Sequence, residues 1–356
     1  MASELVLKYH SFIFFFFLFS CGTKQREYGE NVYFYIDFPH EKELKGQVIE
    51  LDTALLRYPF RIRVEGDRAI IMDLHGMDHY GHLFQYPSFR YLSSFGKRGE
   101  SPSEMLSMEN IRFYNHNIWT LDANKKELNQ LGFSSSGDSL LRDDVVALDE
   151  EILRALDFAI YNDTTLIIPD YSGDNRLCWV HRNGKILNKT GSIPSANRKT
   201  LQNARPALAQ AWRSFVDYNP HNNIMAMATQ LGEVLEIYNL KDSTYIVRIG
   251  EHGEPGFRIA EGYGIPTGIM GFSDIQVTDS AIYTVFQGVT FKEIAQKKGR
   301  RPDGGKYIYV FNLKGEPLYK YVLDRYIYGI WVDEATKTII ATDVNKDQPI
   351  VRFCFE

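Results

Sequence analysis

The sequence predicts an all-β fold, one six-bladed β-propeller, and three observations carry that reading. A unit of strand, tight polar turn and strongly apolar strand recurs six times along the 356 residues. Each unit has room for about four strands, the content of a propeller blade. The last unit stops one strand short, so the missing strand has to come from elsewhere in the chain. The composition agrees: 22 Tyr and 23 Phe favour strands, and 44% hydrophobic residues can fill one large core.

The six copies are R-I-R-V-E-G-D-R-A-I-I-M-D (61–73), I-R-F-Y-N-H-N-I-W-T-L-D (111–122), L-D-F-A-I-Y-N-D-T-T-L-I-I-P-D (156–170), F-V-D-Y-N-P-H-N-N-I-M-A-M-A (215–228), I-Q-V-T-D-S-A-I-Y-T-V-F (275–286) and G-I-W-V-D-E-A-T-K-T-I-I-A-T-D (329–343). Their turns use Gly, Asn, Asp, Ser and Pro, the residues a hairpin needs. Taking Ile71, Trp119, Ile167, Met225, Tyr283 and Ile340 as markers, the units are 48, 48, 58, 58 and 57 residues apart.

The outer strands follow. Blade 1 has 82–86 and 89–95 around Pro87-Ser88, and blade 3 has 176–181 and 185–190 around Arg182-Asn183-Gly184. Blade 2 turns at Ser134 to Asp138, blade 4 at Lys241-Asp242 and blade 5 at Lys314-Gly315. In blade 6 the third strand, 350–355, ends the chain. The expected fourth is Gln47–Leu51, an N-terminal strand that closes the ring and removes an open edge. Val32 to Ile36 also alternates like a strand, with no place assigned. A β-sandwich would share the short strands but would need neither six similar units nor the shortfall.

Ahead of the repeats, Phe12 to Phe19 is an apolar run preceded by Lys8 and His10 and followed by Ser20-Cys21-Gly22. It is too short to span a bilayer and reads as the apolar region of a signal peptide. Leu18-Phe19-Ser20-Cys21 resembles the bacterial lipobox, although Phe19 is bulky for its place and Glu4 is acidic. The expected organisation is a signal peptide over 1–20, a lipidated Cys21 with a polar tether over 21–31, and one propeller over 32–356. That implies an exported outer-membrane lipoprotein of the cell envelope, facing periplasm or surface, with the membrane as a partner through the lipid. Formal net charge is -5, unlike the basic balance of a nucleic-acid binder, so no nucleic-acid partner is expected.

The stretch F-Q-Y-P-S-F-R-Y-L-S-S-F-G-K-R-G-E-S-P-S-E (84–104) resembles the TolB-like six-bladed propeller lipoproteins of Bacteroidota. It is similar to their strand–Pro–strand followed by F-G-x-x-G-x-x-P-x-E. The resemblance extends over nearly all of the mature chain and implies fold and envelope location; it implies little about activity.

No catalytic motif stands out, and no cofactor is expected. Gly96 to Glu100 could pass for a phosphate nest, but a second copy at 249–256 in an equivalent place argues for an inter-blade turn. Gly262-Tyr263-Gly264 lacks the strand and helix of a dinucleotide loop. His75, His79 and His82, with Asp73 and Asp78, are weak metal candidates, because their spacing fits no standard site. Glu109, Asn110, Asp157 and Asp274 lie near the starts of innermost strands, where a channel cation could sit. His181, His221 and His252 belong to different blades, and no Ser-His-Asp grouping is expected.

Loop length is more informative. The face that carries the second-to-third-strand and inter-blade loops receives Gly96–Asn110, Gly191–Arg213, Gly250–Ser273 and Gln287–Gly305. Its candidate ligand residues are Arg98, Trp212, Arg213, Phe257, Tyr263, Phe272, Phe291, Arg300 and Arg301; Lys292, Lys297 and Lys298 add positive charge. Such loops on a rigid scaffold suit binding. The expected function is a monomeric binding or scaffold protein for an unknown protein or envelope glycan. The alternative is a hydrolase or lyase centred in the channel, possibly metal-dependent. Asp-Ser and Asp-Thr turns at Thr53, Ser139, Thr164, Ser243 and Ser280 resemble O-glycosylation acceptors of Bacteroidota. Cys178 and Cys354 fall in opposite blades, too far apart for a disulfide, and each is expected to pack between sheets.

Overall fold

In the computed structural model, which describes residues 28–51, 56–197, 202–296 and 302–356, the second strand of each repeat sits between two neighbouring blades. That position explains its composition. A strand covered on both faces has to be apolar throughout, and in Arg68–Asp73 the side chains of Ala69 to Met72 are all fully buried. The core is therefore spread over the seams between blades. One seam joins Val285 and Ile308 of blade 5 to Ile330, Ile339 and Phe353 of blade 6. Another joins Leu121 and Leu128 of blade 2 to Ile168 and Val180 of blade 3.

Each blade is an antiparallel sheet read outward from the axis. Blade 1 is Pro59–Glu65, Arg68–Asp73, His79–Gln85 and Arg90–Lys97. Blade 2 is Asn110–Tyr114, Asn117–Asp122, Glu127–Phe133 and Leu140–Ala147. Blade 3 is Ala159–Asn162, Thr165–Pro169, Leu177–His181 and Ile186–Thr190. Blade 4 is Ser214–Asn219, Ile224–Thr229, Val234–Asn239 and Thr244–Ile249. Blade 5 is Ile269–Val277, Ala281–Thr290, Gly305–Asn312 and Pro317–Ile327. Blade 6 is Ile330–Asp333, Thr338–Thr342 and Ile350–Cys354, completed by Gln47–Ile49. In that closing pair Ile350 faces Ile49 and Arg352 faces Gln47, as the shortfall in the last repeat required.

The N-terminal segment does more than close the ring. Val32–Phe34 runs parallel to the outer strand of blade 4, with Val32 opposite Val247. His40–Leu44 then runs parallel to the outer strand of blade 5, with Leu44 opposite Leu323. The segment is a belt over three successive blades. His40–Leu44 reads H-E-K-E-L and carries no strand pattern. Its side chains are mostly exposed, so its strand form comes from backbone pairing to an edge and from one buried residue, Leu44.

Both described cysteines are free. Cys178 is buried between blades 2 and 3, as expected. Cys354 corrects the expectation that both pack between sheets: it is exposed. Strand alternation turns Phe353 into the seam of blades 5 and 6 and leaves Cys354 outside.

Candidate functional site

A propeller leaves the inner edge of every first strand unpaired, so its N–H and C=O groups need partners near the axis. Here charged side chains supply them. Asp157 accepts the amide of Val216 at 2.8 Å, Asp217 that of Val277 at 2.7 Å, and Asp274 that of Ile330 at 2.9 Å. Each contact links one blade to the next. Gln276 serves the edge of blade 6 with both ends of its amide, accepting from Val332 N and donating to Val332 O.

Three arginines balance these carboxylates. Arg112 of blade 2 pairs with Asp157 and Asp217 and donates to the carbonyls of Phe158 and Val216. Arg61 and Arg63 of blade 1 share Asp274. Burial alone would raise the Asp274 carboxyl, but these two guanidinium groups outweigh it and hold it below its ordinary range. Arg61 lies against the rings of Phe60 and Phe215 at 5.0 and 4.6 Å.

Two of the channel candidates, Asp157 and Asp274, are thus engaged by guanidinium and backbone donors, and Asn110 donates to Asp157. Glu109 stays partly exposed beside them. Arg61, Arg63, Arg112 and Asp217 were not anticipated. Their signal was a charged residue inside an otherwise apolar first strand, as in R-I-R-V.

Below the ion pairs, a cavity of about 480 Å³ opens on the face of the short first-to-second-strand turns. All six blades line it. Arg63, Arg112 and Asp217 form its deep wall; Glu65, Tyr114, Asn115, Tyr218, His221 and Trp331 lie nearer the mouth.

The long-loop face carries the expected loops, with added elements: a helix at Arg205–Ala211, a hairpin of Phe257–Ala260 and Tyr263–Pro266, and a short helix at Phe291–Gln296. Its candidates divide. Tyr263 is exposed, and Arg213, Phe257 and Phe291 are partly so. Trp212 and Phe272 are buried core residues, a correction to their place on the ligand face. Arg98 is held inward: it lies 3.7 Å above the Tyr80 ring and donates to the carbonyl of Leu74. Arg300 and Arg301, with Lys297 and Lys298, lie outside the described residues, as do Cys21 and Thr53. The other four acceptor candidates all sit in turns of the short-turn face, where Thr164 bonds Asn162 and Ser280 bonds Glu334.

The histidine loop of blade 1 does not converge. His75 packs on Tyr58 with the rings tilted, His79 opens the third strand of the blade, and His82 bonds Ser94 at 2.9 Å. Among the described residues no three His, Cys, Asp or Glu side chains form a metal-binding group. Ser94, His82 and Asp73 do come together, which the sequence did not suggest. Asp73 is 3.8 Å from His82, too far for a hydrogen bond, and it is committed to the amides of Arg57 and Tyr58.

No curated protein sequence matches the chain. Solved structures show the same fold. A Bacteroides fragilis protein described as exported is 10% identical with a TM-score of 0.55, over 90% of this chain and 98% of that one. A member of the DUF4221 family from Bacteroides vulgatus is 10% identical with a TM-score of 0.56, over 88% and 96%. The family model described as TolB-like 6-blade propeller-like matches residues 37–335, which include five complete blades and the start of the sixth. The chain therefore belongs to the TolB-like six-bladed propeller family.

Proposed function

We infer that this chain is a binding or scaffold protein, exported and lipid-anchored in the cell envelope, that meets a protein or an envelope glycan through its long-loop face. The observation that carries the reading is the hairpin of Phe257–Ala260 and Tyr263–Pro266. It stands outside the six blades and holds Tyr263, 66% exposed, and Ile259, 45% exposed, in solvent. Its backbone is fixed by close packing: a Cβ on Gly264 would lie 2.6 Å from the carbonyl oxygen of Ala207. Aromatic and aliphatic side chains on a rigid support suit partner recognition. The anchor rests on the Phe12–Cys21 segment, and export is supported by that segment together with the Bacteroides fragilis structural neighbour described as exported. The channel carboxylates argue against the hydrolase or lyase alternative, because Asp157, Asp217 and Asp274 are all bound to arginine.

A photo-crosslinking residue at position 263, in cells of the native host, is expected to give a discrete product. The same residue at Leu187, 57% exposed on the outer strand of blade 3, is expected to give none. Equal products at both sites, or none at 263, would remove the hairpin from the reading. Fatty-acid labelling that survives Cys21→Ser would remove the anchor.

A further inference from the structure

We propose that the channel mouth on the short-turn face, opposite the hairpin, is a binding site for a neutral saccharide of one or two sugar units. The inference stands apart from the long-loop reading. A volume of about 480 Å³ is in the range of small-ligand sites. The composition of the walls narrows the ligand class. Tyr114, Tyr218 and Trp331 contribute aromatic surface from three different blades. Such rings suit the apolar C–H faces of a sugar, which present little charge but considerable area.

These rings are fixed from outside the cavity. Tyr114 donates its hydroxyl to Asp163 at 2.9 Å, and Tyr218 reaches Asn223 at 3.3 Å while packing on Tyr161. Trp331 meets Tyr86 edge-on at 5.4 Å. Walls held this way lose little freedom when a ligand enters, so more of the contact energy appears as affinity.

Hydroxyl recognition needs polar groups with spare capacity, and the mouth has them. Glu65 is approached by His116 at 3.5 Å through one oxygen, so its other oxygen can accept from a sugar hydroxyl. His221, which lines the cavity, uses Nδ1 toward Asp279 at 3.1 Å and has Nε2 as a second ring nitrogen for a hydroxyl. The deep wall sets the charge preference. Arg63 and Arg112 are already neutralised by Asp274, Asp157 and Asp217, so the deep wall offers no free positive charge to an anionic ligand.

The test uses the purified protein on a surface array of glucose-, galactose-, mannose- and N-acetylglucosamine-based disaccharides, with uronic-acid and sulfated disaccharides beside them. At least one neutral disaccharide is expected to bind. In titration with that disaccharide, Glu65→Gln is expected to weaken binding about tenfold or more, because it removes a charged hydrogen-bond acceptor. Trp331→Ala should do the same, and Leu187→Ala on the outer strand of blade 3 should change nothing. Glu65 is exposed, so its variant keeps the test sound if Trp331→Ala fails to fold. Binding of charged sugars alone, binding indifferent to Glu65→Gln, or no binding on the array would overturn the proposal.

Discussion

The carboxylate of Asp217 accepts the amide of Val277 at 2.7 Å, so a side chain of blade 4 caps the bare inner edge of blade 5. Asp157 and Asp274 repeat the device one blade earlier and one blade later. An unpaired buried amide costs about 1–3 kcal/mol, so these aspartates have a structural reason to be charged and central. Their charge is then matched by Arg112, Arg63 and Arg61. The resulting network locks successive blades together at the axis.

Asp274→Asn should be costly. It would leave Arg61 and Arg63 buried without their shared counter-charge, and breaking such a group typically destabilises by about 3–5 kcal/mol. The acid dependence follows from the depressed carboxyl of Asp274. Its stabilisation is present in full above the unfolded carboxyl range and is lost as pH falls through the lower, folded value. Urea unfolding of wild type and variant at neutral and strongly acid pH checks this. The gap between them should be largest at neutral pH and should shrink in acid; a variant as stable as wild type at neutral pH would deny the network its role.

The belt is the second test. Removing residues 28–49 strips blade 6 of its fourth strand and uncovers the outer strands of blades 4 and 5, which lose their parallel partners. Leu44 alone loses a buried position worth about 2 kcal/mol. The exposed edge of Ile350–Cys354 would also invite pairing with other chains. Aggregation or a steep fall in melting temperature is expected for this truncation. Removing only 28–36 leaves the ring closed and should be much milder. Similar melting of the longer truncation and the full chain would mean that Gln47–Ile49 is dispensable for closure.

What could be read from the sequence tracks what has a periodic signature. The second strands are apolar on both faces, so the six repeats were visible, and the missing strand of blade 6 followed by counting. Glycine and glutamate in F-G-K-R-G-E-S-P-S-E also had a legible role as an inter-blade turn. The Glu104 carboxylate meets Lys97 at 2.7 Å and the amide of Ser101 at 3.2 Å, and Gly99, with φ +153°, lies against that carboxylate. His40–Leu44 was illegible because its strand form is imposed by an edge it covers. The channel network was illegible because its partners come from different blades: Arg112 and Asp217 are 105 residues apart. Trp212 was misread for the opposite reason. Its neighbours look like an exposed loop, yet the helix Arg205–Ala211 turns it into a fully buried cluster with Val234 and Val247.

The two described cysteines offer a test of register that needs no ligand. Cys178 lies in the third strand of blade 3 and Cys354 in that of blade 6, on opposite sides of the ring. Neither is paired. Burial pushes the Cys178 thiol up to about 12, so at pH 8 it stays protonated as well as shielded, and the protonated thiol is a poor nucleophile. Cys354 is exposed at the end of its strand. A form of the protein beginning after Cys21 should therefore take up one alkylating label at pH 8 in the native state, on Cys354, and two after denaturation without reductant. The second label should appear with the global unfolding transition, since Cys178 packs with Leu166 and Val180 in the seam of blades 2 and 3. Rapid native labelling of Cys178 would show that this seam opens on its own. A disulfide between the two would be incompatible with six blades in this order, because their Cα atoms would have to approach within about 7 Å.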